Sequence, residues 1–219
     1  MAIATNLQHI QATLPDNVIL VAVSKTKPIA DLMEAYTAGQ RIFGENKIQE
    51  MTEKWEELPK DIQWHMIGHV QTNKVKFMAP FVQLIHGVDS LKLLQEINKQ
   101  GAKNKWVIDC LLQIQIAAEE TKFGLDETEL ASLLASDAFN KMENIQIRGL
   151  MGMATFTENK NQVKKEFQHL KSIFDQLKSQ PILHSKLDTI SMGMSGDYQL
   201  AIECGSTMVR VGSSIFGGR

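Results

Sequence analysis

A lysine, two serines and two glycines stand directly after short apolar runs, where an amine and an anion site could form. Lys25 ends the run "VAVSK", although desolvation disfavours an ammonium group at such a point. A lysine placed there either extends to water or acts as a nucleophile. In "SMGMSGD" and "RVGSS" a hydroxyl stands next to a glycine where a strand gives way to a helix, at Ser195, Gly196, Gly212 and Ser213. Free amides at such points bind phosphate, so the pattern predicts an amine and a phosphate site.

An amine opposite a phosphate site can hold a phosphorylated carbonyl compound as a Schiff base. Pyridoxal 5'-phosphate, whose aldehyde links to a lysine, is the commonest such molecule in proteins. Phosphosugar aldolases use the same pair of groups without a cofactor. Residue spacing does not decide between the two, and both interpretations stay open on these residues alone.

The elements that must position these groups alternate between strand and helix patterns. Eight short apolar runs rich in β-branched residues predict strands, at residues 18–25, 41–46, 63–70, 81–88, 105–116, 144–154, 187–193 and 207–217. Helical patterns occur at 6–14, 28–40, 72–78, 90–103, 126–139 and 162–180. This alternation predicts a single (β/α)8 TIM-type barrel with an N-terminal helix, with residues 1–219 as one domain. An open doubly wound sheet is the alternative fold.

Polar residues collect at the predicted C-terminal ends of the strands, which is where the active site of such a barrel lies. A barrel with a purely structural role would not need them there. The second strand carries Glu45 and Asn46, the third carries His65 and His69, and the fourth carries His86 and Asp89.

Composition excludes several classes of partner. The 219 residues carry a net charge of -2, so no basic surface for nucleic acid or anionic membranes is expected. No apolar run reaches membrane-spanning length and the N-terminal residues lack a signal-peptide pattern, which predicts a cytoplasmic protein. Cys110 and Cys204 are too few for a disulfide framework or a four-cysteine zinc site. His65 and His69 have no acidic third ligand nearby in the sequence, so no metal site is predicted.

Five segments together resemble the YggS/PROSC family of pyridoxal phosphate homeostasis proteins, which are similar in fold to the N-terminal domain of alanine racemase (fold type III). The segments are "VAVSKTKP", "FGENKIQE", "WHMIGHVQTNK", "GLMGMAT" and "SMGMSGDYQLAIECGSTMVRVGSSIFG". They span nearly the whole chain, and their combination and order are far more specific than any one of them. The resemblance implies pyridoxal 5'-phosphate as cofactor and a role in vitamin B6 and amino-acid homeostasis.

The resemblance also implies roles for individual residues. Lys25 matches the lysine that forms the Schiff base with the cofactor, and Asn46 and His65 match residues lining the cofactor ring. Arg210 matches the arginine that fold type III enzymes place near the pyridine nitrogen. Phosphate contacts are implied for Ser195, Gly196, Gly212 and Ser213, and a Lys-x-Gly segment is matched by Lys122 and Gly124.

The matched arginine bears on reactivity. A guanidinium has no proton to give at neutral pH, so the pyridine nitrogen beside Arg210 is expected to stay unprotonated and the ring to be a weaker electron sink. Alanine racemases use a tyrosine from a C-terminal domain, whereas this sequence ends at Arg219, directly after the eighth predicted strand. We therefore expect a monomeric cofactor carrier without turnover, with PLP-dependent apoenzymes as recipients. A racemase-like enzyme is the alternative, and a Schiff-base aldolase is a third hypothesis.

Overall fold

Eight parallel strands form a closed barrel in the computed structural model, which describes residues 2–119 and 123–218. The strands follow one another around the ring in chain order, and the last pairs with the first. This arrangement confirms the predicted (β/α)8 barrel. The strands are β1 (Ile19–Val23), β2 (Ile42–Glu45), β3 (Gln63–Met66), β4 (Val82–Val88), β5 (Ile108–Gln113), β6 (Ile145–Met151), β7 (Ser185–Met194) and β8 (Met208–Val211).

Helices cover the outside of the barrel, and the predicted N-terminal helix precedes its first strand. They are α1 (Ala2–Ala12), α2 (Ile29–Thr37), α3 (Ile48–Glu57), α4 (Val75–Met78) preceded by a 3-10 turn (Thr72–Lys74), α5 (Leu91–Asn104), α6 (Glu127–Leu134), α7 (Asp137–Asn140), α8 (Lys160–Lys178), α9 (Tyr198–Glu203) and α10 (Ser213–Phe216).

Several predicted boundaries move by a few residues, and two predicted elements differ from the structure in number or type. The helix predicted at 126–139 is two helices, because the Ser136 hydroxyl accepts a hydrogen bond from the Phe139 N–H and starts a new helix there. The strand predicted at 207–217 ends at Val211, and the chain continues as α10, in which the Ile215 and Phe216 N–H groups donate to the Gly212 carbonyl oxygen. Apolar text alone does not distinguish a short buried strand from a short buried helix.

The apolar core has two parts, one between the barrel and its helices and one inside the barrel. The inner part is a compact cluster contributed by different strands: Val21, Leu84, Leu111, Met151 and Met208. Side chains on a strand alternate between its two faces, so residues two positions further along face the barrel interior again. His86 follows Leu84 by two positions and Arg210 follows Met208 by two positions. A polar layer therefore lies above the apolar one, towards the C-terminal ends of the strands.

Gly149 fixes the fit between β6 and β7. Its φ is +153°, and a Cβ added there would lie 1.7 Å from the Thr189 carbonyl oxygen. The register between the two strands shifts at this point, between Ile147 and Gly149. Any side chain would separate the strands, so the bulge depends on glycine at this position.

Candidate functional site

Lys25 lies at the C-terminal mouth of the barrel, in a turn that follows β1. The strand ends at Val23, two residues before the lysine, whereas the sequence pattern extended it through Lys25. The side chain is half-buried, and no hydrogen bond or ion pair to its ammonium group occurs within residues 2–119 and 123–218. An amine so placed is available to a ligand in the barrel mouth.

The turn that carries Lys25 is held from below by α3. The Lys54 ammonium donates to the Ser24 carbonyl oxygen at 2.7 Å, and the Ser24 hydroxyl donates to Glu45 Oε1 at 2.6 Å. On the other side of Lys25, the Thr26 N–H donates to Glu50 Oε1 at 2.5 Å, and Thr26 adopts a left-handed φ of 63°. Both neighbours of Lys25 are thus fixed by one polar cluster, which allows a non-glycine residue to keep this strained conformation.

At the centre of that cluster is a buried ion pair between Lys54 and Glu45. Lys54 donates to Glu45 Oε1 at 2.7 Å and to Glu50 Oε1 at 2.8 Å, and Lys54 is only 5% exposed. Burial raises the pKa of the Glu45 carboxyl, while the Lys54 ammonium acts in the opposite direction. Glu45 Oε2 is buried and has no hydrogen-bond partner among the described residues. Glu45 was predicted at a strand end, but its partner Lys54 was not predicted.

Asn46 follows β2 and is held by close backbone contacts. A Cβ added at Gly68 would lie 2.5 Å from the Asn46 carbonyl oxygen, and one added at Gly87 would lie 2.6 Å from the Gly68 carbonyl oxygen. Glycines at these two positions let the ends of β2, β3 and β4 approach one another. The half-buried Asn46 amide has no hydrogen-bond partner in the described part of the chain, so it can contact a ligand.

A row of hydrogen-bonded side chains crosses the barrel interior. His65 Nδ1 lies 3.0 Å from His86 Nε2, and His86 Nδ1 lies 2.9 Å from Ser191 Oγ. Arg210 donates from one nitrogen to Ser191 Oγ at 2.5 Å and from another to the Gly152 carbonyl oxygen at 3.1 Å. We call His65, His86, Ser191 and Arg210 the polar row. All four are buried.

Burial sets the charges in the polar row. It lowers the pKa of His65 from 6.5 to about 3 and that of His86 well below 6.5, the latter with help from the positive charge of Arg210. The pKa of Arg210 falls to about 10 through burial, against the attraction of Asp197. At neutral pH the row therefore contains one guanidinium and two neutral imidazoles.

The loops after β7 and β8 are joined at the mouth. The Gly212 N–H donates to Ser195 Oγ at 3.2 Å. The backbone N–H groups of Gly196, Ser213 and Ser214 have no partner among the described residues, and a Cβ at Gly196 would meet nothing within 4 Å. This combination of open backbone amides and hydroxyls can receive an anion.

Strand pairing brings the amine and these amides to neighbouring positions. Ala22 of β1 pairs with Val211 of β8, so the turn bearing Lys25 and the segment beginning at Gly212 leave adjacent strands at the same end of the barrel. The eight predicted site residues all lie at this end or in the polar row. Their roles towards a cofactor stay predictions.

Other residues from the sequence analysis lie elsewhere. His69 is outside β3 and exposed, 3.3 Å from Asp89 and stacked on Phe123 at a ring separation of 4.3 Å. Gly124 has a φ of +140°, and a Cβ there would lie 2.5 Å from the Gln115 amide nitrogen. Lys122, which shares its predicted segment, lies outside the described residues.

Two residues of this site, Ser191 and Lys54, were not identified from the sequence. Ser191 lies within the quoted segment "SMGMSGD", but no role was assigned to it. Lys54 lies in a helix rich in charged residues, where burial of a lysine is unusual and has no sequence signal.

Neither a metal site nor a membrane-spanning helix occurs in the part of the chain that the structure describes. Residues 2–119 and 123–218 contain no group of three or more histidine, cysteine, aspartate or glutamate side chains placed to hold a metal ion. In the same ranges, every helix is too short or too polar to cross a bilayer.

Comparison with known proteins gives full-length matches. The family model of the alanine racemase N-terminal domain matches residues 1–219. The pyridoxal phosphate homeostasis protein of Pasteurella multocida is 38% identical, over 99% of this chain and 94% of the relative. The protein of the same name from Escherichia coli K12 is 35% identical, over 94% of this chain and 87% of the relative.

Solved structures of similar proteins share the barrel fold of this chain. PipY of Synechococcus elongatus, without PLP, superposes with a TM-score of 0.92 at 34% identity, covering 98% of this chain and 100% of PipY. PipY with PLP bound gives 0.88 at the same identity and coverage. An alanine racemase of Clostridium difficile gives 0.78 at 15% identity, covering 100% of this chain and 57% of the racemase, which shows a shared barrel fold.

Proposed function

The chain belongs to the alanine racemase N-terminal domain family, among the pyridoxal phosphate homeostasis proteins, and on that premise we propose that it binds pyridoxal 5'-phosphate as a Schiff base on Lys25. The proposal includes a carrier role in intracellular vitamin B6 and amino-acid homeostasis, without catalytic turnover. The observation that carries it is the unpartnered Lys25 amine, in the turn after β1, next to unpartnered amides after β8.

The donor set fits this cofactor. When bound, pyridoxal phosphate supplies an aldehyde for covalent attachment and an aromatic ring that withdraws electrons. The Lys25 amine has no hydrogen-bond partner among the described residues. The turn around it is fixed by Lys54, Glu45 and Glu50. A fixed turn limits the conformational freedom that the lysine would lose on attachment.

The loops after β7 and β8 fit the phosphate group. Amides from Gly196 and Ser213 and hydroxyls from Ser195 and Ser213 provide hydrogen-bond donors without adding a side-chain charge. Donors of this kind bind phosphate oxygens through charge-assisted hydrogen bonds. The open space at Gly196 leaves room for the anion to approach the backbone.

Arg210 favours binding over turnover. Its pKa of about 10 keeps the guanidinium protonated at neutral pH, so it can donate to a pyridine nitrogen but cannot protonate it efficiently.

The two tyrosines of the chain form hydrogen bonds away from the polar row. Tyr36 donates to Asp61 at 2.8 Å, and the Tyr198 hydroxyl lies 3.1 Å from Thr13 Oγ1. Neither is positioned as the second base that a racemase needs.

Visible spectroscopy and peptide mapping test the attachment. We expect purified protein incubated with pyridoxal phosphate to absorb in the visible range, and borohydride to fix the adduct on the Lys25 peptide. Lys25→Ala removes both signals, whereas Lys47→Ala, which changes an exposed lysine at the start of α3, keeps them. An adduct on another residue, or none with excess cofactor, contradicts the proposal.

Deuterium exchange tests the carrier role separately. Holoprotein incubated with alanine or serine in deuterated water is expected to leave the α-hydrogen in place. Incorporation at a rate useful for metabolism would favour the racemase-like alternative, while leaving attachment at Lys25 intact.

A further inference from the structure

We propose that Arg210, acting through Ser191 and His86, fixes the tautomer of His65, so that His65 presents a neutral N–H donor at Nε2 to a ligand in the barrel mouth. In this view Ser191 and His86 are positioning residues. The protons that these four groups carry determine the direction of each hydrogen bond in the polar row.

The hydrogen bond between Arg210 and Ser191 can have only one direction. A guanidinium donates and cannot accept, so the 2.5 Å contact between Arg210 and Ser191 Oγ is a donation to the serine oxygen. Ser191 is fully buried, and among the described residues its hydroxyl oxygen has one other neighbour within hydrogen-bond distance, His86 Nδ1 at 2.9 Å.

The Ser191 hydroxyl hydrogen then requires an acceptor. If His86 Nδ1 carried a proton, Ser191 Oγ would accept two hydrogen bonds and its own hydrogen would be buried without a partner. Burying an unsatisfied hydroxyl is unfavourable, which disfavours that arrangement by about tenfold or more. Ser191 therefore donates to His86 Nδ1, and the single proton of the neutral His86 ring is on Nε2.

The proton on His86 Nε2 determines the tautomer of His65. His86 Nε2–H points to His65 Nδ1 at 3.0 Å, so that nitrogen accepts and the proton of His65 is on Nε2. His65 Nε2 has no partner within the described residues and is not among the enclosed polar atoms that lack one, so it retains access to open space. Burial lowers the pKa of both histidines, which is consistent with one proton on each ring.

The consequence concerns ligand specificity. His65 would favour a ligand that places an acceptor atom beside it and would disfavour one that places a donor there. Applied to pyridoxal phosphate, this consequence rests on the proposed function. The tautomer assignment does not, because it is a property of the chain without ligand.

Long-range ¹H–¹⁵N correlation spectra of the ligand-free, ¹⁵N-labelled full chain test the assignment, since they distinguish protonated from unprotonated ring nitrogens. Signals are assigned with His65→Gln and His86→Gln. We expect Nε2 to be the protonated nitrogen of both rings in the wild-type protein. A proton on Nδ1 of either ring overturns the proposal, whether or not the protein binds pyridoxal phosphate.

Two variants test whether Ser191 determines the tautomer of His86. Ser191→Ala removes the hydroxyl, and we expect it to replace the single tautomer of His86 by a mixture. Ser191→Thr keeps a hydroxyl and is expected to keep the wild-type pattern. An unchanged pattern in Ser191→Ala overturns the role of Ser191. If either variant fails to fold, the wild-type spectrum still decides the direction of the hydrogen bonds.

Discussion

The Ser195 hydroxyl oxygen accepts a hydrogen bond from the Gly212 backbone N–H at 3.2 Å. This contact joins the loop after β7 to the loop after β8. Because the oxygen accepts from Gly212, the Ser195 hydroxyl hydrogen is left to donate elsewhere. The proposed phosphate site is therefore one connected structure, in which a backbone donor orients a side-chain donor.

Loss of the Ser195 hydroxyl should weaken cofactor retention. Removing a hydrogen bond to a charged group costs about 1–3 kcal/mol, and we expect Ser195→Ala and Ser213→Ala each to lose affinity in that range. Ser195→Ala should have the larger effect, because it also removes the acceptor of the Gly212 N–H. Equilibrium titration with pyridoxal phosphate measures both.

Ser185→Ala is the matched control for the serine variants. Ser185 begins β7 at the opposite end of the barrel, and its hydroxyl donates to the Ile182 carbonyl oxygen. Its affinity should equal that of the wild-type protein. Unchanged affinity in both Ser195→Ala and Ser213→Ala would remove these residues from the phosphate site.

Arg210→Glu should change the visible spectrum of the holoprotein. A carboxylate beside the pyridine nitrogen would permit its protonation, which the guanidinium disfavours. Because Arg210 is buried and donates two hydrogen bonds, thermal melting and circular dichroism must first show a folded variant. A folded variant with a spectrum identical to wild type would show that Arg210 does not contact the ring.

Lys54→Met should destabilise the protein strongly. The substitution leaves the buried Glu45 carboxylate without its cation, and breaking a buried pair in this way costs about 3–5 kcal/mol. Adding Glu45→Gln should recover part of the loss. Lys171→Met, which breaks the exposed pair with Asp175, is the control and should cost about 1 kcal/mol or less. Urea denaturation measures the free energies, and equal losses for the two lysines would contradict the proposed role of the cluster.

The stability of the ligand-free protein should fall as the pH is lowered from 6.5 towards 5. Burial depresses the pKa values of His65 and His86 in the folded state, so the unfolded chain binds more protons below pH 6.5. The contribution is fully present above the unfolded pKa and decreases at up to about 1.4 kcal/mol per pH unit for each histidine. Urea midpoints between pH 7.5 and 5 measure this dependence.

Glu45 acts in the opposite direction, because a raised carboxyl pKa adds stability as the pH falls. The experiment is therefore repeated in the Glu45→Gln background. A midpoint that does not change between pH 7.5 and 5 in that background would show that the histidines are not buried in their neutral form.

The barrel and its amine were predictable from the sequence, whereas the contacts that position the amine were not. Alternating strand and helix patterns located all eight strands, and Lys25 stood out because a cation rarely follows an apolar run. The buried environment of Lys54 was not predictable, because a helix rich in charged residues normally faces solvent.

The polar row shows a second reason for incomplete prediction. His86 was predicted at the C-terminal end of a strand, and it lies inside β4, hydrogen-bonded to His65. Ser191 completes the row from β7, more than a hundred residues away in the chain. Period-two alternation shows which residues face inwards, but contacts across the barrel depend on strand tilt and stagger, which the sequence pattern does not contain.

The pairing of β1 with β8 also determines when the site can exist during synthesis. A nascent chain that has exposed β1 to β7 carries Lys25 but lacks Gly212 and Ser213, which follow Val211. Until the eighth strand has been synthesised, Lys25 lacks the neighbouring loop of the proposed phosphate site. On the proposed function, cofactor binding therefore follows synthesis of the last strand.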